Sequence, residues 1–127
     1  MNTKKILLVD DDPISLHVLI NCLRNDYPIE TAVDGQQAWE ILQAHPQDFA
    51  VIIADRIMPK LHGLQLLEKM QTHPELKRLP LILLTGEAEK AEQIAAIKAG
   101  VFDFLYKPVD AQLLLRVLER AIQNSKS

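Results

Sequence analysis

Cysteine occurs once in the 127 residues, and aromatic side chains make up only 5% of them. A single thiol excludes an internal disulfide and any cysteine-based metal centre within one chain. Cys22 sits among Leu19, Ile20 and Leu23 in a helical pattern, which reads as a buried, inert thiol. Few aromatics alongside 48% hydrophobic residues predict a core filled by aliphatic side chains. Positive charge is not in excess: 14 Lys and Arg stand against 17 Asp and Glu, a net charge of −3, and no basic cluster interrupts the chain. This leaves no electrostatic footprint for nucleic acid. No apolar run approaches the ~20 residues of a membrane span. Met1 to Lys5 lead directly into a run too short for a signal segment, so no membrane association and a cytoplasmic location are expected. The four histidines, His17, His45, His62 and His73, show no paired ligand spacing and read as solvated surface residues.

Four short apolar runs are present, and each ends at a polar residue suited to handling phosphate. Ile6 to Val9 run into Asp10, Asp11 and Asp12, Val51 to Ala54 into Asp55, Leu81 to Leu84 into Thr85, and Phe104 to Tyr106 into Lys107. Runs this short and this uniformly apolar suit strands buried on both faces of a parallel sheet. Such a sheet places its ligand site beyond the carboxyl ends of its strands.

The segments between the runs carry helical periodicity. Asp12-Pro13 reads as an N-cap and a first helical residue, opening a helix over about 13–24 with Ile14, Leu16, Val18, Leu19 and Leu23 as its stripe. A short strand at 29–33, a turn at Asp34-Gly35 and a helix over 36–44 follow, with Trp39 read as a packing residue. The remaining order is a strand at about 50–54, a helix opening at Leu64, a strand at about 79–84 and a helix over 87–99 closed by Gly100. A strand leading to Lys107 and a helix over about 110–123 complete it. Five repetitions of strand then helix, joined by right-handed crossovers, predict a three-layer α/β/α sandwich around a five-stranded parallel sheet. The size suits one domain over residues 1–127 in the flavodoxin-like order 2-1-3-4-5, whose switch point lies between the first and third strands. Asp10, Asp11 and Asp55 would meet there.

Two carboxylates about 4 Å apart repel by roughly 4 kcal/mol at an effective dielectric of 20. Three at one site require a compensating cation, and Lys107 supplies only part of it. Mg²⁺ is the natural remainder, since it takes oxygen ligands and keeps positions for water or phosphate oxygens. The site then has the parts of a phosphoryl-transfer centre, with a carboxylate nucleophile, a metal, and hydroxyl and ammonium donors.

With these residues in place the chain resembles the CheY-like receiver domains of two-component response regulators over essentially its whole length. The motifs are Leu8 to Pro13, Asp55-Arg56-Ile57-Met58-Pro59 with Gly63 four residues on, Leu84-Thr85-Gly86, and Lys107-Pro108 preceded by Ala99-Gly100. The resemblance implies that Asp55 is the phosphoacceptor and that Asp10 and Asp11 are the acidic pair holding Mg²⁺ or Mn²⁺. The backbone carbonyl of Ile57 would complete the protein's share of the metal shell. Thr85 and Lys107 would bind phosphoryl oxygens, and Phe104 would be the switch aromatic, rotating as Thr85 moves inward.

It further implies a regulatory domain that assists only its own phosphorylation and dephosphorylation. A sensor histidine kinase or histidine phosphotransfer protein would supply the phosphoryl group. Partners, an output domain or a second copy in a homodimer would dock on the surface made by the fourth helix, fifth strand and fifth helix.

Arg56 departs from the family, which commonly has an apolar residue there, and offers a cation within reach of the phosphoryl group or of a partner's carboxylate. Ile57 stands where a polar side chain often handles the attacking water, a role Glu87 would fill in part. The competing enzyme reading is a haloacid-dehalogenase-like phosphatase, in which Asp10-x-Asp12 would supply Asp10 as nucleophile. Against it stand Ile14 where that family wants Thr or Val, no acidic pair after the fourth strand, and no room for a cap domain. A flavodoxin would need a phosphate cradle where Asp10 to Asp12 would repel one. A pseudo-receiver would have lost an acidic-pair residue, the acceptor or the lysine, all of which are kept.

Overall fold

The computed structural model describes residues 4–56, 60–86 and 90–125. Five strands alternate with five helices: β1 (Lys5–Val9), α1 (Pro13–Leu23), β2 (Ile29–Ala32), α2 (Gly35–Ala44), β3 (Phe49–Asp55), α3 (Gly63–Gln71), β4 (Leu81–Thr85), α4 (Lys90–Ala99), β5 (Asp103–Tyr106) and α5 (Ala111–Ser125). The strands are parallel and lie in the order β2-β1-β3-β4-β5, the order read from the sequence.

Alternation along each strand builds two cores. Leu7 and Val9 of β1, Ile52 and Ala54 of β3, and Leu81 and Leu83 of β4 face α2, α3 and α4, where Leu42, Leu66, Leu67, Met70 and Ala96 cover them. Ile6 and Leu8, Val51 and Ile53, and Ile82 and Leu84 face the other way, under Leu19 and Leu23 of α1 and Leu114, Val117, Leu118 and Ala121 of α5. Each fully buried Leu or Ile is worth about 1.5–3 kcal/mol of transfer free energy. Aliphatic side chains predominate in both layers, in line with the scarcity of aromatics, and Phe49 is the buried aromatic among the described residues.

The helix starts follow their caps. Asp12 accepts the Ile14 N–H at 3.0 Å and the Ser15 hydroxyl at 3.1 Å, with Pro13 in the first turn. Asp34, expected as a turn residue, is buried and caps α2. It accepts the Gln37 N–H at 2.7 Å while the Gln37 side chain accepts the Val33 N–H at 2.8 Å. α4 ends at Gly100, whose φ of +100° is one that side-chain-bearing residues rarely adopt, and Val101 N–H reaches back to the Ala96 carbonyl at 3.0 Å. The fourth strand begins at Leu81, not 79, because Leu79 N–H is turned to Leu76 O, 3.0 Å away.

Cys22 is half-buried against the α1–α5 core. Trp39 packs on α2, with Lys69 Nζ 5.5 Å from its ring and His73 edge-on at 6.3 Å. His17, His45 and His62 are exposed, and His73 is half-buried.

Candidate functional site

The ends of β1 and β3 are adjacent at the reversal of strand order. Val9 pairs with Ala54, so Asp10 and Asp55 stand side by side just beyond. Carboxylate oxygens of Asp10, Asp11 and Asp55 all lie within 4.8 Å of one another. Asp10 is buried, Asp55 half-buried and Asp11 exposed. From the end of β5, Lys107 Nζ reaches Asp55 Oδ2 at 3.0 Å and Asp10 Oδ2 at 3.4 Å. Lys107 is anchored by its own N–H, which donates to the Thr85 carbonyl at 2.9 Å, and the peptide bond that follows it, to Pro108, is cis.

Burial pushes the Asp10 carboxyl above its ordinary range. The Asp12 N–H, which it accepts at 3.0 Å, pulls it down; the charge of Asp55 pushes it up and Lys107 pulls it down, with the net shift upward. Burial alone would lower the Lys107 ammonium. The hydrogen bond and charge of Asp55, then those of Asp10, outweigh it and hold the group charged above its ordinary range. One ammonium against three carboxylates leaves a net negative pocket of oxygen donors, which suits a hard divalent cation.

Thr85 is buried at the end of β4, but its hydroxyl accepts Arg56 Nε at 3.0 Å, on the α4 side of the sheet. The Arg56 guanidinium continues to Glu92 of α4 in a close ion pair. Arg56 is therefore engaged within the chain; the sequence had offered a phosphoryl group or a partner's carboxylate for it. Phe104 is half-buried on β5, opposite Leu83, and packs against the α2–α4 core. Ile57, with the metal-binding carbonyl assigned to it, and Glu87 lie outside the described residues.

Asp12 turns its carboxylate into α1, away from the acidic cluster, so the Asp10-x-Asp12 pattern is a helix start. Two contacts escaped sequence reading. Ser15 Oγ lies 3.5 Å from Lys107 Nζ, a placement readable only from the cap geometry that orients the first turn of α1. The Arg56–Glu92 pair spans 36 positions, and nothing local announces it.

Known proteins resemble this chain in sequence and in fold. The family model of the response regulator receiver domain matches residues 6–119. The chemotaxis protein CheY1 of Helicobacter pylori is 39% identical over 117 residues, covering 91% of this chain and 94% of that protein. A response regulator receiver domain protein of Clostridium thermocellum superposes with a TM-score of 0.89 at 31% identity, covering 97% of each chain. The receiver domain of a Pseudomonas aeruginosa sensor histidine kinase, solved with a magnesium ion coordinated in its active-site cleft, gives a TM-score of 0.84 at 31% identity over 95% of this chain and 98% of that one. No described helix is long and apolar enough to cross a membrane. The match of sequence, strand order and strand-end chemistry makes this chain a member of the CheY-like response regulator receiver family of two-component signalling.

Proposed function

We propose that this chain, as one receiver domain over residues 1–127, is a cytoplasmic switch in which Asp55 accepts a phosphoryl group from a phosphohistidine of a sensor kinase or phosphotransfer protein. The observation that carries the reading is the acidic cluster, with its oxygens within 4.8 Å of one another and Lys107 at 3.0 Å from Asp55. An Asp55 carboxylate oxygen forms the new bond to phosphorus as the phosphorus–nitrogen bond breaks, and the donor imidazole leaves with that electron pair.

Asp10, Asp11 and Asp55, with the Ile57 carbonyl, are the groups that would hold Mg²⁺ or Mn²⁺. A bound divalent ion would supply the positive charge that offsets the carboxylates and the phosphoryl oxygens. Lys107, already paired with Asp55, moves to a phosphoryl oxygen as the carboxylate becomes an acyl phosphate. Thr85 donates its hydroxyl to another oxygen, and Phe104 follows into the space that Thr85 leaves. Moving such a switch from 1:99 to 99:1 needs a differential of about 5.5 kcal/mol, within reach of several charge-assisted bonds to a dianion. The readout surface is α4, β5 and α5, where Ile94, Ile97, Tyr106 and Leu113 are 44%, 64%, 50% and 42% exposed. An output domain or a second copy would dock there.

The test is intact mass after incubation with acetyl phosphate and Mg²⁺. A single Mg²⁺-dependent phosphoryl adduct, lost in Asp55→Asn, is expected. An adduct that depends on Asp10 and persists in Asp55→Asn would overturn the reading in favour of the phosphatase-like one. No adduct on a folded protein would favour an interaction module that takes no phosphate.

A further inference from the structure

Strand alternation divides the site between two faces of the sheet. Asp10, Asp55 and Lys107 stand two residues beyond Leu8, Ile53 and Leu105, which belong to the core under α1 and α5. Thr85 and Arg56 stand two residues beyond Leu83 and Ala54, which belong to the core under α2, α3 and α4. The Thr85 hydroxyl is therefore held by Arg56 on the far side from the carboxylate it would have to serve.

The same guanidinium pairs with Glu92, in a position only 24% exposed for Arg56 and 39% for Glu92. α4 is otherwise thinly anchored. Ala96 is its buried side chain among the described residues, whereas α3 buries Gly63, Leu66, Leu67 and Met70. A helix with so few buried apolar contacts is of low local stability, so its polar ties weigh heavily on it: the partly buried Arg56–Glu92 pair, and the more exposed bond from Gln93 Nε2 to the Tyr106 hydroxyl at 3.2 Å. Arg56 and Glu92 also line the groove between α3 and α4, together with Leu64, Leu83 and Ala95.

We propose that Arg56 is a positioning residue that holds Thr85 and α4 in the resting arrangement and lets both go when Asp55 is phosphorylated. The proposal rests on the phosphoacceptor reading above. To donate to a phosphoryl dianion on Asp55, the Thr85 hydroxyl has to swing from the α4 side of the sheet toward that carboxylate, and this movement carries it out of reach of Arg56 Nε. The dianion also places new negative charge one residue from Arg56, in competition with Glu92. Both effects loosen the same clasp, so the chemistry at β3 is felt at α4. Because the clasp favours the resting state, it also lowers the population ready to accept a phosphoryl group.

The test compares wild type with Arg56→Ala, Glu92→Gln, the double variant and Arg56→Lys, using acetyl phosphate and Mg²⁺. The rate of adduct formation is read by intact mass and amide hydrogen exchange over residues 90–99 without donor. Arg56→Ala, Glu92→Gln and the double variant are each expected to accept phosphoryl about fivefold faster, with no further gain in the double, since all break one clasp. α4 exchanges faster in the three, and Arg56→Lys, which keeps the charge but not the fork, restores part of the wild-type behaviour in both readouts. Slower acceptance in Arg56→Ala alone, additive single effects, or α4 exchange unchanged in the variants would overturn the clasp while leaving the phosphoacceptor reading intact. A wild type that takes no phosphoryl group would overturn both.

Discussion

Lys107 Nζ stands 3.0 Å from Asp55 Oδ2, with the lysine side chain 27% and the aspartate side chain 14% exposed. A pair so shielded is neither a surface salt bridge of negligible worth nor a fully buried one. Its role is to neutralise part of a cluster that would otherwise repel itself.

Replacing Lys107 with Met removes the only protein cation paired with this cluster among the described contacts. Without metal, the variant should lose about 1–3 kcal/mol in urea unfolding near neutral pH. Mg²⁺ should recover much of the difference. The lysine's elevated folded pKa means that its stabilisation is fully present below its unfolded value of 10.5 and is lost as pH rises through the folded value. Unfolding measured at alkaline pH should therefore show wild type approaching the variant.

Asp10→Asn should act in the opposite direction. The Asp10 carboxyl is raised, so the folded protein binds a proton that the unfolded chain has released. Metal-free stability therefore falls as pH climbs from the ordinary value of 3.8 through the elevated one. The amide still offers an oxygen to the Asp12 N–H and carries no charge, so the variant should be about 1 kcal/mol more stable than wild type at pH 7 without metal. With Mg²⁺ at a hundredfold excess over its Kd, wild type gains about 2.7 kcal/mol that the variant lacks, and the order reverses. Thermal unfolding of both proteins with and without Mg²⁺ checks this, and the same order in both conditions would refute it.

Gly63 holds α3 tight against the acceptor strand. A Cβ there would lie 2.6 Å from the Asp55 carbonyl oxygen and 2.6 Å from Leu83 Cδ2, and the Gly63 N–H donates to the Arg56 carbonyl at 3.2 Å. Gly63→Ala should cost about 1–3 kcal/mol through overpacking and should slow phosphoryl acceptance by displacing the Asp55 backbone. Gly86, with nothing within 4 Å of the same built atom, is the control, and Gly86→Ala should leave stability within about 0.5 kcal/mol.

Asp12→Ala separates the helix cap from the acidic cluster. Losing the bonds to Ile14 N–H and Ser15 Oγ should cost about 1 kcal/mol in urea unfolding. The Mg²⁺-dependent adduct should still form, because Asp12 faces α1. Loss of the adduct on a folded Asp12→Ala protein would show that this carboxylate belongs to the site.

The sequence by itself determined the alternation of five strands and helices, the parallel sheet and its order. Uniformly apolar runs of three or four residues have only one environment in which both faces are dry, and that environment orders the polar residues at their ends. It also marked Asp10, Asp11, Asp55 and Lys107 as neighbours, since strand ends converge at the switch point whatever the loops do. Tertiary structure alone decided how far each side chain joins them. The face on which Thr85 lies follows from strand parity once the cores are known, but its bond to Arg56 does not. Glu92 lies 36 positions from Arg56, and no local periodicity encodes a meeting between the end of β3 and a helix that follows β4. Asp34 read as a turn because what surrounds it comes from another loop: Lys60 Nζ lies 3.8 Å from its carboxylate, and Leu61 lies against the neighbouring Gly35. Local pattern encodes which residues start and end an element; only the packed chain decides which of two faces a side chain serves, and which distant charge answers it.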